Sequence, residues 1–194
     1  MNKIRKIAIM ALLYVVCSFN TAYCIIGPTL MLDKEPKDST EVTYGIGPVL
    51  KYKHNKASEQ DFEGDMAMWG LRVFAGRMND PEFGIIYSQG HQNSDTLKYN
   101  LEMTGLTFED SFNSDPRFKW RFTAGFGTYK LKSIASGHVY NDGKFAYLEP
   151  MILGILPLNR NIILEFGVGY TFADASKVRV EGLALSGELL FGKF

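Results

Sequence analysis

The chain has 194 residues, 46% of them hydrophobic and 13% aromatic, and its 21 basic residues balance 21 acidic ones. That length favours one domain, and the absence of net charge excludes a nucleic-acid partner held by a broadly basic surface. Both cysteines, Cys17 and Cys24, fall near the start of the chain. An internal disulfide is therefore not expected in the remainder, and backbone ladders and packing must supply its stability.

Residues 1–24 place Lys3, Arg5 and Lys6 before an apolar run from Ile7 to Val16, followed by small and polar residues. This is the layout of a secretory signal peptide, and the run is too short to cross a bilayer as a helix, which takes ~20 apolar residues. Ala22 and Cys24 fit a small-x-small cleavage pattern, so Ile25 is the expected mature start, with cleavage after Ala22 as the alternative. Val16 before Cys17 and Tyr23 before Cys24 argue against lipidation. Loss of the leader's three basic residues leaves 18 basic against 21 acidic residues.

Residues 25–40 carry a short apolar stretch and then Asp33-Lys34-Glu35-Pro36-Lys37-Asp38. Ile26-Gly27-Pro28-Thr29-Leu30 echoes Ile46-Gly47-Pro48-Val49-Leu50, so this segment is either an extra strand or a periplasmic extension. From Glu41 onward the chain reads as alternating segments: 41–54, 62–78, 82–92, 95–110, 117–134, 143–158, 162–174 and 177–194. Turn-forming runs such as Asn79-Asp80-Pro81, Asn113-Ser114-Asp115-Pro116 and Asn159-Arg160-Asn161 separate them. Residues 41–194 are thus predicted to form eight strands, with ten as the alternative because an odd count does not suit a membrane barrel.

The two faces of each segment differ in kind. Ile162, Leu164, Phe166, Val168, Tyr170 and Phe172 share one face, opposite Ile163, Glu165, Gly167, Gly169, Thr171 and Ala173. Tyr44, Ile46, Leu50 and Tyr52 likewise oppose Gly45, Gly47, Lys51 and Lys53, and Phe118, Trp120, Phe122 and Phe126 oppose Lys119, Arg121, Gly125 and Gly127. In the fourth segment the same rule expects Leu97, Tyr99, Leu101 and Met103 outside, with Lys98, Asn100, Glu102 and Thr104 inside. Alternation alone also suits a soluble barrel with an apolar interior. Glycine-rich polar faces, aromatics near the strand ends and the final Phe194 favour an apolar face turned toward lipid.

These features, with the Gly-Phe-Gly of residues 125–127 and the Gly-Val-Gly of 167–169, resemble the small bacterial outer-membrane β-barrels typified by the OmpA transmembrane domain and OmpX. The resemblance implies an all-β fold, an eight-stranded antiparallel up-and-down transmembrane barrel in the outer membrane of a Gram-negative bacterium. It also implies a monomer that contacts outer-membrane lipids and lipopolysaccharide, with Phe194 as a C-terminal signal for the barrel-assembly machinery. Leu183, Leu185, Leu189 and Phe191 have the opposite parity from Phe194, so either a bulge intervenes or the face assignment fails there.

Six charges are expected to meet inside the periplasmic half: Arg72, Glu102, Arg121, Glu149, Glu165 and Glu188. Buried charges must be paired, and ~8 strands enclose room only for side chains, so a closed structural plug is favoured over a charge-lined pore. Four acids against two arginines leave Lys119 or protonated carboxylates to balance the remainder. His54, His91 and His138 map to the extracellular ends of strands or to loops, with Asp61, Ser88, Ser94, Asp95 and Asp142 nearby in sequence. They are read as solvated residues, because no His-x-Ser with a carboxylate partner and no zinc-ligand spacing is present. No catalytic residue, metal or cofactor is expected. The role expected is non-enzymatic, structural or surface-interacting; a small-solute channel is the alternative, and a lipid A acyltransferase or deacylase a more distant one.

Overall fold

A computed structural model describes residues 41–57, 62–77, 80–112, 115–174 and 178–194. The expected leader, 1–24, and the segment 25–40 lie outside the described residues, as does Asp61. The long strands are β1 Val42–Ala57, β2 Phe62–Arg77, β3 Glu82–Asn93, β4 Leu97–Phe112, β5 Asp115–Ser133, β6 Val139–Asn159, β7 Ile162–Asp174 and β9 Gly182–Lys193. A two-residue piece, β8 Val178–Arg179, pairs with the end of β1. Each long strand pairs antiparallel with the next, and β9 returns to β1 through Ile46↔Phe191 and Val49↔Glu188. The eight long strands therefore close into an up-and-down barrel without a free sheet edge along the paired part of the wall.

Residues 134–138 turn the chain between β5 and β6. Ser133 donates its amide to His138 at 2.8 Å, and Gly137 takes a left-handed φ of 68°, a conformation costly for a residue with a Cβ. Residues 134–138 therefore connect two strands rather than containing another, and the sixth strand starts at Val139 instead of Gly143.

The outer wall is apolar. Leu50, Phe83, Leu106 and Phe126 are 67, 63, 67 and 75% exposed, whereas Arg72, Glu109, Arg121, Glu149 and Glu165 inside are at most 1% exposed. Such a continuous apolar exterior around a charged interior is the reverse of a water-soluble barrel, so this wall faces hydrocarbon. Aromatic rings cluster at one end of the band, with Phe108 5.0 Å from Phe83 and 5.2 Å from Trp120, and Tyr170 packs 4.8 Å from Phe172 toward the other. This is the arrangement of a membrane-interface girdle. We take the end that holds Val42 and Lys193 as periplasmic, consistent with the even strand count.

Small residues inside make room for large ones. A Cβ on Gly45 would stand 2.6 Å from the Phe74 ring, and one on Gly127 would stand 2.6 Å from Cε1 of Phe145. Glycine at these positions is a packing requirement of a narrow interior.

The fourth strand corrects the sequence reading. Leu97, Tyr99, Leu101 and Met103 point inward, and Lys98, Asn100, Glu102 and Thr104 point outward. The inward four join Met66, Met68, Tyr129, Leu131, Phe145 and Tyr147 in an apolar plug that fills the extracellular half of the lumen. The inversion arises because the alternation is unbroken through Leu106, which faces lipid, while the outer wall above Thr104 has already left the hydrocarbon. Single-cysteine labelling checks this directly. Glu102→Cys is expected to react with a membrane-impermeant thiol reagent in the folded barrel, and Leu101→Cys only after unfolding.

Candidate functional site: the charged lumen

Below the apolar plug the lumen is charged, and its groups sort into separate clusters. In the first, Arg121 of β5 lies among three carboxylates: Nε pairs with Glu109, one terminal nitrogen with Glu188, and the other reaches Glu165 at 2.8 Å and the second Glu188 oxygen at 3.1 Å. Arg72 of β2 completes the group from across the interior, pairing with Glu109 and donating to Glu165 at 3.0 Å and Glu188 at 3.2 Å. The guanidinium of Arg72 also stacks 4.3 Å from the centroid of the Phe74 ring. Two planar forks thus bridge carboxylates from β4, β7 and β9, a geometry that one lysine ammonium could not reproduce.

The second cluster lies toward the extracellular side. Lys51 donates to Glu149 at 2.6 Å; Thr171 donates to the other Glu149 oxygen; and Lys53 donates to Thr171 Oγ1 at 2.6 Å while standing 3.9 Å from Glu149. A third contact, Lys119 to Glu82 at 2.6 Å, lies near the periplasmic mouth and is partly exposed. Thr43 donates to the same Glu82 at 3.4 Å. Among the described residues, five bases therefore meet five acids inside the barrel. With every group ionised, the arginine cluster carries one excess negative charge and the lysine cluster one excess positive charge, so the lumen is neutral as a whole.

Of the six charges expected to meet, Arg72, Arg121, Glu165 and Glu188 do so. Glu149 is luminal but belongs to the lysine cluster, and Glu102 is on the outer wall between Gln89 and Thr128. Glu109 occupies the place assigned to Glu102. The outward parity of Leu106 and Phe108 on the same strand was the available signal for it. Lys51 and Lys53 were also missed as partners, although they alternate with the apolar residues of their own strand. Lys119 serves Glu82 rather than the remaining acids.

For Phe194 the second of the two alternatives holds. The β9 ladder runs without a shift from Leu183 to Phe191, so no bulge restores the parity. The Phe194 ring instead packs against Phe74 at 6.1 Å, joining Ile163 and Leu190 in an apolar floor beneath the arginine cluster.

The histidines do not converge. His54 meets Asp65 at 2.8 Å on the outer wall, His91 projects outward from β3, and His138 lies in the β5–β6 turn with its ring against Tyr140. Ser88 is buried inside the barrel, away from the outward-facing histidines. No group of three potential metal ligands is found among the described residues.

The ion clusters predict unequal sensitivities. Arg121→Ala removes contacts to three buried carboxylates and is expected to cost about 3–5 kcal/mol, read as a lower urea midpoint. Lys119→Ala is expected to cost less than Arg121→Ala, because it leaves one carboxylate, Glu82, short of its partner and Thr43 still donates to it.

No family model matches the sequence, and no curated protein matches it by sequence. Solved structures do match by shape. Ail, the attachment invasion locus protein of Yersinia pestis, crystallised with the heparin analogue sucrose octasulfate, superposes with a TM-score of 0.52 at 13% identity, over 80% of this chain and 99% of Ail. A second Ail crystal structure gives 0.50 at 13% identity with the same coverage. Neisserial surface protein A matches with a TM-score of 0.45 at 18% identity, over 79% of this chain and 97% of that one. With its lipid-facing apolar band, closed ladder and internally neutralised charges, the chain has the fold of the small, eight-stranded bacterial outer-membrane β-barrels.

Proposed function

We propose that this chain is a non-enzymatic outer-membrane protein with a sealed lumen, whose role is structural, in envelope integrity, and is exerted through its lipid-facing wall and outer rim. The observation that carries the reading is the stacked closure of the interior: an apolar plug over two ion clusters over an aromatic floor. A conducting path would have to displace all of them, and the ion clusters resist because each arginine serves three acids.

An adhesive role, such as the name of Ail suggests for that protein, would draw on extracellular loops. The described extracellular turns are short, with residues 94–96 joining β3 to β4 and residues 134–138 joining β5 to β6. This favours the wall over the loops as the working surface. The proposed partners are outer-membrane lipids and lipopolysaccharide around a monomer. The barrel-assembly machinery would read Phe194 before the closing strand turns its ring inward.

Two readouts separate this reading from its competitors. In planar bilayers the purified barrel is expected to give no unitary current steps, and steady steps would support a small-solute channel instead. Lipid A mass spectra from cells with and without the protein are expected to coincide; a lost or gained acyl chain would support an enzyme.

A further inference from the structure

We propose that the outer wall of β3 to β6 carries a binding site for the phosphorylated sugar headgroup of an outer-leaflet glycolipid. This deepens the lipid partnership proposed above and rests on it. The wall there holds a cleft of about 490 Å³ whose lining includes Trp69 of β2, Lys130 of β5 and Lys144 of β6. Its position follows from the register. Trp69 lies beside Gln89, Gln89 beside Glu102, Glu102 beside Thr128 and Thr128 beside Lys144, with His91, Asn100, Lys130 and Asp142 forming the next row outward.

Below this cleft the same strands present Ile85, Leu106, Phe126 and Leu148 to hydrocarbon. A lipid whose chains lie along that wall would therefore bring its headgroup to the cleft without further cost of approach.

The chemistry is selective in two ways. Lys98 and Lys132 face each other across β4 and β5 above the cleft, so four lysines crowd one side of the barrel. None of the four forms an ion pair among the described residues, although Asp142 is the cross-strand neighbour of Lys130. Four free ammonium groups suit the spread charge of phosphate groups at a membrane surface. On β1 and β2 the corresponding polar rim differs: His54 there is taken up by Asp65.

The cleft floor, in contrast, combines neutral hydrogen-bonding groups with two carboxylates. Asn100 and Thr128 offer amide and hydroxyl partners, Gln89 offers its amide NH2 while its oxygen accepts from Tyr87 at 2.9 Å, and Glu102 and Asp142 accept from hydroxyl or amide hydrogens. Those partners match an acylated amino sugar better than a simple phosphoglycerol. The occupant assigned is accordingly a phosphorylated, acylated glucosamine lipid of the lipid A type.

The test uses the full mature chain in phosphatidylcholine nanodiscs. The chain has two tryptophans, Trp69 and Trp120, so a Trp120→Phe background makes Trp69, at the cleft, the fluorescence reporter. Bisphosphorylated lipid A is expected to shift its emission saturably. The pair Lys130→Glu and Lys144→Glu is expected to raise the half-saturation concentration at least tenfold, and Lys193→Ala, at the periplasmic end, to leave it unchanged. Retained heat-modifiable gel mobility certifies the fold of each variant. If the charge-reversed chain fails to fold, Gln89→Ala with Asn100→Ala serves in its place and is expected to erode the preference for lipid A over phosphatidylglycerol.

An unchanged midpoint in these variants would overturn the site. Equal response to phosphatidylglycerol or to dephosphorylated lipid A would overturn the assigned headgroup chemistry. Either failure would leave the bilayers silent and the lipid A masses unaltered, whereas failure of the broader reading would change one of those two.

Discussion

The structure depends on one constraint: a barrel of eight strands has an interior only as wide as its own side chains, so every charge inside must find its counterion there. Arg121 meets this demand most fully, with its guanidinium shared among Glu109, Glu165 and Glu188. That arrangement requires acids on β4, β7 and β9 to face one arginine on β5 at a common depth. A slip of one residue in any of these ladders would turn a buried carboxylate toward lipid. The register of the wall and the neutrality of the lumen are therefore one requirement seen from two sides, and the close fit of Phe74 over Gly45 and Phe145 over Gly127 follows from the same lack of space.

Much of the architecture was legible in the sequence because its source is simple geometry. Apolar residues at every second position define the lipid face of β1, β2, β7 and most of β5, and turn residues mark where the strands end. The fourth strand shows where this reasoning stops. Leu97 to Met103 form the most apolar alternating set of that strand, yet they lie above the hydrocarbon and fill the lumen. Hydropathy marks burial, but it does not say whether lipid or protein provides the burial. Parity carried from Leu106 and Phe108 would have placed Glu109 correctly.

The distribution of charge among clusters was less legible, since it depends on which strands face one another across the barrel. Glu149 belongs to Lys51 because β1 and β6 bring them together over 98 residues of sequence. No local pattern contains that information. Phe194 illustrates a related limit: a terminal aromatic suggests a lipid-facing anchor, but the unbroken β9 ladder gives it the parity of Glu188 and Leu190 and sends it under the arginine cluster. An interior so completely used leaves the wall and rim to meet the surroundings, and the charge there is one-sided, with lysines concentrated over β4 to β6.

The most direct measurement of the closed, charge-neutralised lumen is hydrogen exchange at the arginine side chains, followed by nitrogen-15 NMR of the barrel in bilayer nanodiscs. The account expects the guanidinium protons of Arg72 and Arg121, both at most 1% exposed, to be shifted by carboxylate pairing and to exchange far more slowly than those of exposed Arg77 and Arg160. Rapid exchange at all four would mean that water reaches the arginine cluster freely, and would contradict a sealed barrel.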